Sequence, residues 1–340
     1  MNIEDYFEAE TKPREKVVMY DFHNFMYRTI FAAQNEYMKS ISDPNQESNK
    51  SDIYLYWRNF MLSNIFGYVK QFQPNKFIIS VDSKRNWRKD VYSNYKAGRK
   101  EKLKESPIDF EEFYPVANEF INDLKTIIPN MYVIEIDNCE TDDIIAVLSK
   151  EVFSHDEVII LSTDGDFKQL LQYKNVKIFN PDSKVKSFVT CMNPKEELNL
   201  KIVIGDGGNG QGDNIPNILV MDGYEQTGNR TIGVGEKVAQ KILEHGIDSD
   251  FVIKKVCEKY PNISPSEAKD KIKSNYQRNL ELISFESIPT EIKDKIISGY
   301  KSYQLKTYNG KILFDYLHTK KIKRVAEEFQ IYSIYLKKLG

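Results

Sequence analysis

Two short acidic groups, separated by one helix and one strand, limit what this chain can fold into. Glu140-Thr141-Asp142-Asp143 sets three carboxylates at the start of a predicted helix. Asp164-Gly165-Asp166 sets two more just after the apolar run Val158 to Leu161. Five acids arranged in this way should meet in space. Packed carboxylates repel and cannot all ionise unless a cation joins them. Hard oxygen ligands of this kind suit Mg²⁺ or Mn²⁺. Taken singly, each group has an ordinary explanation. Acids in a first helical turn favour the helix dipole, and Asp-Gly after a strand is turn chemistry. Two further acids, Asp21 and Asp82, make the ordinary explanation hard to keep.

Those two fall into a repeating pattern. Lys16 to Asp21 reads as a buried strand ending in an acid, followed by a helix from Phe22 to about Met38. Residues 40–52 read as a polar loop, and a second helix runs from about Ile53 to Phe72. Phe77 to Asp82 is another strand ending in an acid. The basic stretch 84–104 reads as partly helical. A helix from about Phe110 to Ile128, a strand from Met131 to Ile136, the Glu140 helix, a strand over 157–162 and a short strand near Val176–Phe179 complete the series. Strands alternating with helices predict an α/β fold with a mostly parallel sheet and right-handed crossovers. Asp21, Asp82 and both acidic groups then lie just beyond the C-terminal ends of strands, the edge where open α/β sheets bind ligands.

After about residue 198 the pattern changes to helices with polar linkers. A glycine-rich loop over 202–216 carries Asp206 and Asp213, and Gly233-Val234-Gly235 reads as a tight turn opening a helix. Glycines before a helix N-terminus let backbone amides approach a phosphate; a plain helical hairpin is the alternative. Further helices are expected around Phe251–Tyr260, Ser264–Ile283, Pro289–Lys301 and Val325–Leu339. The expected division is a catalytic α/β unit over 1–198, with a basic arch at about 83–108, and a helical unit over 199–340. There is no clear internal repeat.

Composition narrows the function. The net charge of −2 hides segregation: Lys84 to Lys104 holds nine Lys/Arg against two acids, and Lys301 to Gly340 nine against three. Basic segments beside an acidic cluster suit a phosphodiester-cleaving enzyme, with cations for the backbone and acids for metals. The three cysteines are far apart, without a CxxC pair, which argues against a zinc site and for a reducing compartment. The four histidines are scattered, so a His-based triad or metal site is not expected. Asn2 to Glu15 is polar and acidic and reads as no secretory signal, and no apolar run is long enough to span a membrane.

Several motifs in order resemble the 5′ nuclease superfamily: flap endonucleases, phage 5′ exonucleases and the 5′ nuclease domains of bacterial DNA polymerases. They are Tyr20-Asp21, Val81-Asp82, Trp87-Arg88 with Tyr95-Lys96 and Arg99, Glu140-Thr141-Asp142-Asp143, Ser162 to Phe167, and Gly212-Asp213-Asn214-Ile215-Pro216 with Gly233 to Ala239. The resemblance covers about residues 16–245. It implies a PIN-like 5′ nuclease core with a helical arch, and a C-terminal domain with a helix–three-turn–helix at about 231–246. One departure concerns Asp206 and Asp213, which an insertion separates; Asp213 fits the second metal better, Asp206 could act through water, and Asn209 sits where the second acid would fall without the insertion.

The resemblance further implies two Mg²⁺ per site, with Mn²⁺ able to substitute, and a monovalent cation at the helix–three-turn–helix. Asp21, Asp82, Glu140 and Asp142 would serve one metal, and Asp143, Asp164, Asp166 and Asp213 the other. Asp142 and Asp164 are the acids expected to matter most to catalysis, with Arg88, Lys96 and Arg99 on the scissile phosphate. Lys84 and Arg85 would add nucleic-acid contacts. Trp87, Tyr92 and Tyr95 could stack on unpaired bases or pack inside the arch. Gly233, Gly235 and Lys237 would grip duplex backbone without reading sequence. The implied substrates are DNA and RNA–DNA duplexes with 5′ ends or flaps, as in RNA-primer removal during phage replication, by a monomer in the host cytoplasm. Lys320 to Leu339 is a candidate contact for a single-stranded-DNA-binding protein or a sliding clamp; a solvated helix face is the alternative. A PIN-type ribonuclease or a non-catalytic DNA-binding replication protein are the competing readings.

Overall fold

The computed structural model describes residues 14–40, 49–182, 184–207, 212–221 and 233–339 of the 340. Six strands form one sheet: β1 Lys16–Asp21, β2 Lys76–Val81, β3 Tyr132–Glu135, β4 Glu157–Leu161, β5 Val176–Asn180 and β6 Ser187–Phe188. Their order is β3-β2-β1-β4-β5-β6. The first five pair in parallel and β6 runs antiparallel on the edge. The mostly parallel sheet expected from the alternation is present.

Each central strand feeds two cores, because successive side chains point to opposite faces. Val18, Tyr20, Phe77, Ile79, Ile159 and Leu161 enter one core. Val17, Met19, Ile78, Val158 and Ile160 enter the other. Continuous apolar runs are what a strand covered on both faces requires. The first face is covered by helices Phe22–Ser40, Lys50–Phe72 and Phe110–Ile127, with Trp57, Phe113 and Phe120 fully buried among them. The second is covered by helix Thr141–Val147, its π-helical continuation Leu148–Val152, the 3₁₀ turn Gly165–Gln172 and helix Thr290–Ser302.

A third core lies away from the sheet. Val203, Ile218, Leu219, Ala239, Ile242, Val252, Val256, Ala268 and Ile272 close it, from helices Pro194–Ile204, Glu236–His245, Asp250–Lys259 and Pro265–Ile283. A small seam of Tyr95, Ile202, Ile215, Leu282 and Ile283 joins this helical unit to the basic stretch. The region expected as one unit from 199 thus packs in two places. Residues to about 283 build the third core. Phe285, Ile288, Ile292 and Ile296 return to one sheet face, and Leu313, Leu317, Ile322, Val325 and Leu336 to the other.

Three further differences have local causes. The triplet Ile202 to Ile204, read as loop, ends a helix that Asn193 caps by accepting from the Glu196 amide at 3.2 Å, with Pro194 at its first position. Helix Gly310–Thr319 was not expected; Asn309 caps it, accepting from Lys311 N at 3.0 Å. The edge strand β6 has only two residues, too few for a period to register. No helix among the described residues is long and apolar enough to cross a membrane.

Leu317 is 1% exposed within the first core. Leu317→Ala should lower stability by about 2–5 kcal/mol, the cost of a large-to-small change in a packed core. A urea titration followed by far-UV circular dichroism measures it; an unchanged midpoint would mean that the C-terminal helices do not close the sheet core.

Candidate metal centre

At β1 the chain passes from one side of the sheet to the other, with β2 and β4 as its two neighbours. The gap beyond such a switch point is a natural ligand crevice. Here it is a cleft of about 600 Å³ lined by Asp21, Asp82, Glu140, Asp142, Asp164, Asp166, Asp206 and Asp213. Lys96, Arg99, His23, Asn24 and Tyr27 line it too. Eight of the nine acids singled out by sequence therefore converge on one space.

The acids divide by what neutralises them. Asp21 accepts from Asn24 N at 3.1 Å and from the Ser162 hydroxyl at 2.7 Å. Asp82 accepts from Thr141 N at 2.7 Å, and its own amide donates to His23 Nδ1 at 3.1 Å. Asp164 accepts from Asp166 N at 2.8 Å. Among the described residues no lysine or arginine forms an ion pair with Asp21, Asp82, Asp142 or Asp164. Burial, with added push from Asp82 and Asp164, lifts the Asp21 carboxyl to about 7 despite its two donors. Burial, then Asp164 and Asp21, raises Asp142 well above the usual carboxylate range. This half of the site holds negative charge that only an added cation or a proton can relieve.

The other half carries its own cations. Glu140 pairs with Lys96 and, at 3.2 Å, with Arg88. Burial works against its charge, yet Lys96 and Arg88 hold its carboxyl down to about 2. Asp213 pairs with Arg99 at 2.5 Å. The Tyr95 hydroxyl lies 2.9 Å from both Glu140 and Asp213 and donates to one or the other. Asp166 and Asp206 share Lys201, the latter at 3.1 Å. One oxygen each from Asp166, Asp206 and Asp213 lie within 4.8 Å of one another. A second group of hard donors thus stands beside the four acids that lack a lysine or arginine partner, and the two sets together fit a pair of divalent cations.

The loop that brings Asp206 to Asp213 depends on close backbone approach. Asp206 and Ile215 form a two-way bridge, with N···O distances of 2.8 and 3.2 Å. A Cβ on Gly212 would stand 2.0 Å from Asp206 Oδ1. Gly205 has φ +74°, and a Cβ there would meet Ile215 O at 2.4 Å. Both positions demand glycine. Both acids reach the cleft, so the insertion between them does not exclude Asp206; Asn209 lies outside the described residues.

Several expected roles are corrected. Asp143 is fully buried and does not line the cleft. It accepts from Arg88 at 2.7 and 2.9 Å, from the Trp87 indole at 3.0 Å and from Glu140 N at 3.1 Å. With both oxygens taken it holds the helix start and is no metal ligand. Arg88, 3% exposed, also donates to Leu282 O at 2.8 Å, so it ties the basic stretch to the acidic helix and to helix Pro265–Ile283. It is a positioning residue, not a phosphate contact. Trp87 and Tyr95 are buried and cannot stack on bases. Tyr92 is half-buried with the Arg278 guanidinium over its ring at 5.2 Å. Lys84 and Arg85 are exposed outside the cleft, and Arg85 pairs with Asp137.

Lys96 and Arg99 do line the cleft. Gly233, Gly235 and Lys237 are exposed on the helical unit, at the start of helix Glu236–His245, with open space where either glycine's Cβ would be. The part of the expected helix–three-turn–helix before Gly233 lies outside the described residues. Sequence reasoning missed His23, Asn24, Tyr27, Ser162 and Lys201. Ser162 had a signal in its place just before Asp164; Lys201 had none.

A family model described as "5'-3' exonuclease, N-terminal resolvase-like domain" matches residues 16–200. The chain is 31% identical over 258 residues to the ribonuclease H of Enterobacteria phage T4, covering 73% of this chain and 78% of that one. It is 28% identical over 280 residues to DNA polymerase I of Caldicellulosiruptor bescii, spanning 78% of this chain but only 27% of the polymerase. Among solved structures, the phage T5 5′-exonuclease with divalent metal ions (zinc) bound superposes with a TM-score of 0.54 at 19% identity, over 85% of this chain and 99% of that one. A variant of the T5 flap endonuclease, in a pseudo-enzyme–product complex with DNA and metal ions, gives 0.54 at 18% over 83% and 97%. At such identities the likeness is one of fold.

Two outcomes follow from the charges. Arg88→Ala strands Asp143 without its cation and should cost about 3–5 kcal/mol of stability in a urea titration. The acids also set a pH dependence. Asp21 and Asp166, the latter lifted by burial to about 6 against the pull of Lys201, stay protonated in the fold after the unfolded chain has ionised. The folded state then binds more protons between roughly pH 4 and 7, and stability falls as pH rises through that window. Glu140, held low, acts in the opposite sense only below its ordinary value of 4.5. In chelator, the melting temperature should therefore drop from pH 5 to about 7.5, less steeply in Asp21→Asn; a rise would refute the assignment of acids whose charge burial disfavours.

Proposed function

This chain belongs to the 5′–3′ exonuclease family, and from that premise we propose that it is a Mg²⁺-dependent 5′ nuclease acting on DNA and RNA–DNA duplexes with 5′ ends or flaps. The observation that carries the proposal is the cleft itself: four carboxylates without a lysine or arginine partner among the described residues, next to three more whose oxygens lie within 4.8 Å of one another. Divalent cations bound there supply Lewis-acid stabilisation of phosphoryl oxygens and hydroxide near neutral pH. Mn²⁺ has the same preference for oxygen donors and should substitute.

In this reading Asp21, Asp82, Asp142 and Asp164 hold the first cation, with Glu140 at its edge. Asp166, Asp206 and Asp213 hold the second. Asp21 and Asp82 are aimed by Ser162, Asn24 and Thr141, so their free lone pairs face the cleft without reorganisation. Lys96 and Arg99 orient the scissile phosphate from the basic side. No side chain forms a covalent intermediate, and hydrolysis leaves a 5′-phosphate and a 3′-hydroxyl. Gly233, Gly235 and Lys237 hold duplex backbone through exposed amides and one cation; a monovalent cation at that turn belongs to the same proposal. The unit over about 194–283 serves as the duplex-binding part, and the sheet with its covering helices as the catalytic part.

We extend the reading to RNA-primer removal by a monomer in the cytoplasm of a phage-infected host, as the likeness to the T4 ribonuclease H suggests. Lys321, Lys323, Arg324, Lys337 and Lys338 stay exposed on or beside the last two helices, Lys323–Glu327 and Phe329–Leu336. They are candidates for contact with a single-stranded-DNA-binding protein or a sliding clamp.

Asp142→Asn and Asp164→Asn should each slow Mg²⁺-dependent cleavage of a 5′-labelled flap and of an RNA primer on DNA by about a hundredfold or more, equivalent to ~2.7 kcal/mol of barrier. A denaturing gel time course reads it. Cleavage within threefold of the parent, in either variant, would remove the acids from the chemistry.

A further inference from the structure

We propose that the Lys201 ammonium is the resident cation of the second acidic site, and that a divalent ion must displace it to bind there. The proposal rests on the metal-dependent reading above and names the residue that sets the difference between the two sites. Lys201 stands on the last turn of helix Pro194–Ile204. Its Nζ pairs with Asp166 and lies 3.1 Å from Asp206 Oδ2. Those two acids and Asp213 form the trio with oxygens within 4.8 Å. An ammonium bonded to two of these three carboxylates supplies charge that a metal there would otherwise bring.

The placement is built into the fold. Ile202 and Val203, the next two residues, are fully buried, one in the seam and one in the third core. The Asn279 amide donates to Ile202 O at 2.9 Å, and Ile218 N donates to Val203 O at 3.2 Å. The helix cannot slide, so Lys201 is delivered to the acids every time the chain folds. Its side chain can still move. Lysine is a compact charge on four flexible methylenes. Lys201 also lines a neighbouring cleft with Glu197 and Glu236, whose carboxylates offer the displaced ammonium a second acidic environment.

The contrast with the first group gives the consequence. Asp21, Asp82, Asp142 and Asp164 form no ion pair with a lysine or arginine among the described residues, so a cation there relieves repulsion without first breaking one. At the second group a cation must first overcome an attraction already made. The two sites should fill in sequence, first tightly and then weakly.

Isothermal titration of the full chain with Mn²⁺, without nucleic acid and at fixed pH and ionic strength, separates these cases. The parent should show one tight and one weak step. Lys201→Met and Lys201→Gln should strengthen the weak step by about tenfold or more and leave the tight step within about twofold, which also reports an intact fold. Lys201→Arg keeps the charge and should keep the weak step. A second step that is unchanged or weaker in both neutral variants overturns the proposal. If one neutral variant does not fold, the other gives the same readout. A parent that binds no Mn²⁺ at either step would overturn the metal-dependent reading itself, a different result from the first.

Discussion

Repulsion between carboxylates is the constraint under which this molecule is built. Eight of them share one cleft at the C-terminal edge of a parallel sheet. Two physical answers are visible. On the side of Asp21, Asp82 and Asp164, backbone amides and the Ser162 hydroxyl supply partial charge and direction without neutralising anything. On the side of Glu140, Asp166, Asp206 and Asp213, lysines and arginines supply whole charges. Donors that orient without neutralising leave a site that needs a cation; full ion pairs make a site that is stable without one. Both kinds of support around one cavity leave the negative potential steeply uneven.

The architecture follows from holding that rim in place. The sheet is covered on both faces, so its strand ends have fixed positions. The C-terminal helices return to both faces after the chain has built a separate helical core, and Arg88 joins the acidic helix to that core through Asp143 and Leu282 O. A buried arginine serving two carboxylates is costly to desolvate and costly to break. Its value here is registry: the first turn of the acidic helix, the base of the basic stretch and the end of helix Pro265–Ile283 cannot move independently.

The strands and the acids at their ends were legible because two local signals coincide there, an apolar run and a change to acid. The parallel sheet, the major helices and six of the cleft acids come from those signals; Asp206 and Asp213 were read from a glycine-rich loop instead. What could not be read was which charged groups face each other. Arg88 and Lys96 sit in the same basic stretch and share the same composition, yet one is buried as a strut and the other lines the cleft. Asp142 and Asp143 are adjacent; helical geometry turns one toward the cavity and the other into the protein. Neighbours on a helix differ by about 100° in direction, and only tertiary packing decides which direction is inside. Lys201 is further still from legibility, since it meets Asp166 across 35 positions of chain.

The cations already bonded to acids keep donors for a phosphate, as their donor inventories show. A lysine ammonium has three N–H donors and an arginine guanidinium five. Arg99 reaches Asp213 through Nη2 and remains 47% exposed, so most of its fork is open to the cleft. Lys96 makes a close pair with Glu140 and a longer one, 3.8 Å, with Asp213, leaving a donor for a third partner. Its backbone, at φ +58°, is held by donation of Lys96 N to Asp213 O at 2.8 Å. The acids bonded to these charges therefore pre-orient them, removing the rotamer entropy that a free lysine or arginine would lose on meeting a phosphate.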